Sequence, residues 1–490
     1  MAPGSIDSVP DLFAAYAVSD GDEAVTPDGR LSPDYAALEP VLAELGTAGL
    51  GAAARSLAEL RAARGVVLGS WTDGRHERHP VPLDPLPRLL PAAQWRLLAA
   101  GVEQRHRALG AFLADAYRAA GRRRGDVDRA PEIVRAGVLP EWAVVHNPAR
   151  DPGAIGQAWP GQPRASVAAA DLVRTTDGGW AVTADDLRAP TGLGFALEDR
   201  LALRAAVPGL FAGIAPGDPG DALALLRQAL DEAAPPACTG PPGVAVLSAG
   251  ETDTSSFEHA VLAEALGVPL VRAADLWPRA DGGLEIAVDG RRRPVDVLYR
   301  RFDDGGLSAY RTPVGQALDV QLTEAVRAGR LGLVNVPGNG VADDAATFAW
   351  VPAMIGFYLG EQPLLASPRT WVLADPAALA EVRGRLQQLV VEEVAGYGGR
   401  GAVDGRTCGA AALTRLAAEV DAAPHRFVAR EPVEEATLPA LVDGALHPRR
   451  ARLRVFSVVT GGGTRALPAP WTRVELGGPV PGSKDTWLLP

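Results

Sequence analysis

"DLVRTTDGGWAVTADDLRAPTG", residues 171–192, is the stretch on which the fold turns. It reads as a hairpin: a short strand, an Asp-Gly-Gly turn, a second strand through Trp180 and Val182, and a loop beyond it. Asp171, Asp185 and Asp186 lie on and just past these strands, so their side chains can converge on one hard cation through oxygen ligands. Aspartates of this kind also serve turns that hold no ligand.

Upstream of the hairpin a helix is expected from Trp95, because Leu98, Val102, Leu109, Phe112, Leu113 and Tyr117 recur near the 3.6-residue period. Arg105, Arg107 and Asp115 fall largely on its other faces. The preceding "HPVPLDPLPRLLP" (79–91) reads as a proline-punctuated approach to that helix, and residues 1–65 as polar loops and Ala-rich helices. Downstream, "DPGDALALLRQALDEAAPPACTGPPG" gives a helix and then a Pro/Gly-rich linker near 235–243, the expected domain boundary.

Beyond the linker, strand and helix alternate. "GVAVLSAG" (243–250), "PVDVLYRRF" (294–302) and "LGLVNVPG" (331–338) read as strands, with helices at 255–267 and 315–329 between them. This grammar predicts a largely parallel α/β layer whose ligands belong at the carboxyl ends of its strands, where Ser248, Arg300, Arg301, Asp303 and Asn335 stand. From about 366 a third region brings "LQQLVVEEVAGYGGRGAV" (386–403), a helix near 410–420 and the strand "HRFVAREPV" (425–433). The last fifty residues read as strands around "ARLRVFSVV" and "WTRVEL".

At 490 residues the chain is long enough for two to four packed units. Its net charge of -11 argues against a nucleic-acid or anionic-membrane partner, both of which favour a basic face. No basic flank precedes an apolar core at the start, and no stretch approaches about 18 uninterrupted apolar residues, so a cytoplasmic protein without a membrane span is expected. Cys238 and Cys408 have neither CxxC nor metal spacing and read as reduced thiols.

Three further clusters can carry chemistry. "GYGGRG" (396–401) offers Gly398, Gly399 and Arg400 after an apolar strand, where backbone N–H groups can cradle phosphate; a plain hairpin turn has the same composition. "YRRFDD" (299–304) puts Arg300, Arg301 and Asp303 at a strand end, as a binding site or as a solvated ion-pair cluster. "GGPVPGSK" (477–484) imitates a phosphate loop but places Ser before Lys and has no helix after it, so it is rejected as one. It does hold Lys484, the only lysine among 48 basic side chains. Either high-GC coding has turned every other lysine into arginine, or one compact ammonium is needed there.

Taken in order, "LDPLPRLLPAAQWRLLAAGVEQRHRALGAFLADAY", "DLVR" with "LRAPTGLGFALEDR", "FEHAVLAEALGVPLV", "VDVLYRRFDD", "NVPGNGVADD", "VPAMIGFYLGEQPLL", "GYGGRG", "LRVF" and "GSKDTW" resemble the circularly permuted ATP-grasp family from about 66 to 490. The resemblance implies an α/β (α+β) fold: a permuted ATP-grasp core, a Rossmann-like pre-ATP-grasp layer and a smaller nucleotide-covering lobe. On this basis residues 1–235 hold an N-terminal helical region and the core hairpin, 236–365 the Rossmann-like domain, and 366–440 the lid. Residues 441–490 then complete the core with 171–200. The relatives implied are glutathionylspermidine synthetase-like carboxylate–amine ligases, which use ATP and Mg²⁺ to make an acyl phosphate that an amine converts to an amide. Carried over, Asp171 and Asp186 hold the metal, and Gly398, Gly399, Arg400, Arg454 and Lys484 meet the nucleotide. Arg300, Arg301 and Asp303 serve a small-molecule or peptide carboxylate. An α-helical partner protein often accompanies the family.

Three positions depart from the family pattern. Ala184, Asp185 and Asp186 stand where Glu-Asp-Asn is usual, Glu392 stands where a nucleotide-contacting Lys is usual, and Ala345 replaces a Lys often found after "VADD". Two functions stay open at this stage: an ATP-dependent carboxylate–amine ligase, and a catalytically degenerate ATP-grasp protein kept as a binding or scaffold subunit. The first strands to compare are those near 171–183 and 451–475, which a permuted fold must place in one sheet.

Overall fold

The computed structural model describes residues 11–72, 74–118, 130–159, 161–396 and 402–490. The hairpin strands are Val167–Arg174 and Trp180–Asp186, and they form one end of an eight-stranded sheet. From the other end its order is Leu83–Leu90, Gly482–Leu488, Trp471–Val474, Ala445–Thr460, and then the hairpin; Thr437–Val442 and Gly463–Ala466 also pair with the long strand Ala445–Thr460. Asp171 lies opposite Arg454 although 283 residues separate them, so the early hairpin and the late strands do share one sheet.

Both faces of this sheet are covered. Val167 and Ala169 pack with Phe195, Leu226, Phe456 and Trp471 on one side. Ala170 and Leu172 pack with Leu98, Val102, Leu453 and Val455 on the other, where the predicted helix runs as Ala92–Ala116. A strand buried on both faces reads as a near-continuous apolar run, and "VAAADLV" does, interrupted only by Asp171. The proline-rich approach is a strand rather than a connector: Leu83–Leu90 pairs in parallel with Gly482–Leu488. Pro85 and Pro87 have no N–H to give, and the edge of a sheet is where a strand tolerates that loss.

The α/β layer is wholly parallel, in the order Gly332–Val334, Val297–Arg300, Val244–Leu247, Leu270–Val271. Val244 and Val246 pack with Leu262 of helix Ser256–Leu266, whereas Ala245 and Leu247 pack with Leu318 and Leu322 of helix Leu318–Arg327. The two helices therefore sit on opposite faces, as in a Rossmann-like layer.

The third sheet is antiparallel: Thr370–Val372, Phe427–Arg430, Val390–Glu393, Val403–Asp404. It has its own core of Trp371, Val382, Leu416, Val420 and Phe427. Arg430 ties it to the hairpin by donating to the Thr183 carbonyl at 2.6 Å, and Val182 N–H reaches the Ala366 carbonyl at 2.9 Å. Among the described residues no helix is long and apolar enough to cross a membrane.

Candidate functional site

A cleft of about 240 Å³ separates the antiparallel sheet from the hairpin end of the eight-stranded sheet. Register decides what faces it. Residues paired across neighbouring strands point to the same side, so Asp171, paired with Arg454 and with Ala184, shares a face with both. Arg452 pairs with Arg473, and two-residue alternation puts this pair on the same side as Arg454. The cleft thus collects Arg452, Arg454 and Arg473 from the eight-stranded sheet and Arg430 from the antiparallel sheet. Eight carboxylates share the lining, Asp343, Asp344, Glu392, Glu431 and Glu435 joining the three hairpin aspartates, so an anion fits only where the guanidiniums gather.

Asp171 is the hub of that gathering. Its two oxygens accept from Arg454 Nε and Nη2 at 2.8 Å each, and Arg473 Nη2 reaches Oδ1 at 2.7 Å. Burial works against an ionised Asp171, but the two guanidiniums outweigh it and hold its carboxyl well below the usual range. Arg454 Nη1 also donates to the Thr191 carbonyl at 3.0 Å and lies 3.4 Å from Asp186 Oδ2. Asp185, one residue out of phase, still borders the cleft, but both its oxygens are taken by Arg105 at 2.9 and 2.5 Å. Above them Arg430 pairs with Glu392 at 3.0 Å, and Arg452 with Glu435 at 3.2 Å. Asp343 accepts from Leu187 N–H and from Arg188 Nε, both at 2.9 Å; burial pushes its carboxyl up against the pull of Arg188.

The sequence reading singled out Asp171, Asp186 and Arg454, and the structure brings these three together. It missed Arg473, Arg430 and Arg452, whose signal was a charge inside an otherwise apolar strand, in "WTRVEL", "RFVAR" and "ARLRVF". Gly398, Gly399 and Arg400 lie outside the described residues; Gly396 and Ala402, which flank them in sequence, line the cleft. Arg300 and Arg301 do stand at the carboxyl end of a parallel strand, but both are buried and neither lines the cleft. Arg300 meets Asp304 at 2.7 Å and the Phe302 carbonyl, while Arg301 reaches the Pro190 carbonyl at 2.6 Å and Glu258 at 3.1 Å. Asp303 is half-exposed and pairs with Arg188 at 3.0 Å.

Lys484 was expected to meet the nucleotide, and register corrects this. It pairs with Thr472, one step out of phase with Arg473, and so faces the opposite side. There, 1% exposed, its ammonium donates to Asp84 Oδ1 at 2.7 Å and to the carbonyls of Pro439 at 2.8 Å and Leu86 at 3.1 Å. Asp485 turns the other way, to Arg200 Nε and the Trp487 indole, each at 2.7 Å.

A protein-held Mg²⁺ needs several oxygen ligands around one point. Ala184 puts a methyl group directly across from Asp171, and the Arg454 guanidinium already bridges Asp171 and Asp186. No group of three His, Cys, Asp or Glu side chains among the described residues is arranged to hold a metal ion. The side chains here therefore do not fit a metal held by the protein alone. A larger groove of about 470 Å³ lies beside Asp151, Asp304, Asp319 and Arg327; it shares no residue with the cleft, and of the "YRRFDD" cluster it takes in only Asp304.

The comparisons agree with this architecture. The model of the family described as "Circularly permuted ATP-grasp type 2" matches residues 87–475. A Frankia alni protein named "Putative glutamate--cysteine ligase 2-3" is 40% identical over 498 residues, covering 99% of this chain and 56% of its own length. A Frankia casuarinae protein of the same name, numbered 2-2, is 39% identical over 98% of this chain and 55% of its own length. The chain thus spans about half the length of these two relatives. Mycobacterium leprae protein ML0605 is 33% identical, over 98% of this chain and 85% of its own. In structure, a glutathione synthetase-like effector of Globodera pallida superposes with a TM-score of 0.56 at 12% identity, over 95% of this chain and all of the other, a likeness of fold.

Proposed function

Because the chain belongs to the circularly permuted ATP-grasp type 2 family, we propose that it is an ATP-dependent carboxylate–amine ligase whose nucleotide lies in the cleft beneath the lid sheet. The observation that carries this reading is the convergence of Arg452, Arg454 and Arg473 on the sheet floor, facing Arg430 on the lid. Guanidiniums offer paired donors that match phosphate oxygens, and fixed positive charge is what phosphoryl transfer requires of a protein. In the proposed reaction a carboxylate oxygen of the substrate attacks the terminal phosphorus and ADP leaves. The amine nitrogen then attacks the acyl carbon of the resulting acyl phosphate, phosphate departs, and the nitrogen gives up a proton. Asp171 holds Arg454 and Arg473 in one orientation, so the charge is in place before the nucleotide arrives. Gly398, Gly399 and Arg400 extend the proposal to the loop between Gly396 and Ala402. Arg300, Arg301 and Asp303 enter it as the frame of the acid-binding side rather than as open contacts. The Frankia names support amide formation between amino acids, although this chain matches only about half of those proteins. A supply of ATP places the reaction in the cytoplasm, and the α-helical partner remains part of the proposal.

A second reading is favoured by one observation: Ala184 leaves the aspartate pair short of a third carboxylate, as in a binding subunit that no longer turns ATP over. Calorimetric titration of ATP, with and without Mg²⁺, paired with a phosphate-release assay over mixed acids and amines, separates the two. The ligase reading expects ATP binding that Arg454→Ala weakens at least about tenfold, together with phosphate release that needs both acid and amine. Binding without release favours the second reading as a binding subunit, and no ATP binding overturns the ligase reading and leaves the scaffold form of the second.

A further inference from the structure

We propose that Glu392 sets how tightly the cleft holds a polyphosphate, by occupying the lid guanidinium that would otherwise meet it. The inference rests on the nucleotide reading of the cleft and concerns a pair inside the lid sheet. Glu392 lies on strand Val390–Glu393 and Arg430 on the neighbouring Phe427–Arg430; both line the cleft, with the carboxylate and Nη2 3.0 Å apart. Arg430 does not depend on Glu392 for its position. Its Nη1 donates to the Thr183 carbonyl at 2.6 Å, its guanidinium lies 4.4 Å from the centre of the Phe348 ring, and its side chain is only 11% exposed. The other carboxylate nearby, Asp185, is taken by Arg105 through both oxygens. Arg430 Nε, a buried donor, has no hydrogen-bond partner in the protein.

Glu392 is therefore an internal anion on a pre-positioned cation. A phosphate group entering beside Arg430 meets either a neutralised guanidinium and a repelling carboxylate, or, once Glu392 is uncharged, a guanidinium whose charge and Nη2 donor are no longer held by a carboxylate. Only anionic ligands sense the difference. Glutamine keeps the size of the side chain and the strand ladder and removes the charge.

Wild type, Glu392→Gln and Glu392→Asp are titrated with ATP, adenosine and inorganic tripolyphosphate, and Arg430→Met is added to Glu392→Gln as a fourth protein. The expected result is that Glu392→Gln binds ATP and tripolyphosphate at least about tenfold more tightly while adenosine is unchanged, tenfold being near the solvent-screened low end for one unit charge at a few ångströms. Glu392→Asp stays near wild type, and Arg430→Met erases the gain. The inference is overturned if Glu392→Gln leaves both polyanions unchanged or weaker, or if adenosine tightens equally, since that is a change of shape and not of charge. Should ATP fail to bind any of the proteins while tripolyphosphate still distinguishes Glu392→Gln from wild type, the nucleotide reading falls and the role of Glu392 stands.

Discussion

Lys484 has the three donors of an ammonium set against three acceptors, Asp84 and two backbone carbonyls, in a space with almost no spare volume. Burial pushes its ammonium below the ordinary lysine value, against the pull of Asp84. A planar guanidinium cannot place three donors in that arrangement, which is a physical reason for a lysine in a chain that otherwise uses arginine. Its role follows from where it stands: it joins strand Gly482–Leu488 to Leu83–Leu90 and Thr437–Val442, away from the cleft. Lys484→Met strands a buried Asp84 and is expected to cost about 3–5 kcal/mol of stability, with Lys484→Arg also destabilising. Chemical denaturation checks the stability of both variants, and ATP titration of the folded protein is expected to give the wild-type affinity. A variant of wild-type stability that binds ATP poorly would return Lys484 to the cleft.

At the scale of elements, the hairpin was legible because short apolar strands on either side of an Asp-Gly-Gly turn are local signals, and helix Ala92–Ala116 because its apolar period is sustained. Strand Leu83–Leu90 was not, since its prolines argue against a strand until the edge position is known. The same gap explains the site. That Asp171 and Asp186 belong together follows from the hairpin itself. That Arg473 joins them and Lys484 does not depends on a one-residue register between Trp471–Val474 and Gly482–Leu488, which nothing local to either strand specifies. The register also makes position 184 testable. It lies across from Asp171 and two residues before Asp186, so a carboxylate there would complete three around one point. Ala184→Glu is expected to gain divalent-cation binding, seen as a rise in melting temperature with millimolar Mg²⁺ or Mn²⁺ that the wild type lacks. Equal response in the two proteins would show that the aspartate pair already suffices.

Across the whole molecule, the permuted order closes the cleft with pieces far apart in the chain. The hairpin supplies Asp171 and Asp186, the lid Arg430 and Glu392, and the late strands Arg452, Arg454 and Arg473. The antiparallel sheet has its own hydrophobic core, and its ties to the hairpin include the Arg430 and Val182 hydrogen bonds, so a ligand bridging the two sheets stabilises their contact more than either core. Amide hydrogen exchange reads that coupling directly, because protection reports the local opening free energy of each segment. Exchange with and without saturating ATP is the measurement that tests the cleft as the nucleotide site. Slowed exchange is expected in Trp180–Asp186, Val390–Glu393, Phe427–Arg430 and Trp471–Val474, with the parallel strands Val244–Leu247 and Val297–Arg300 unchanged. Protection centred on those parallel strands, or none anywhere at saturation, would contradict the cleft as the nucleotide site.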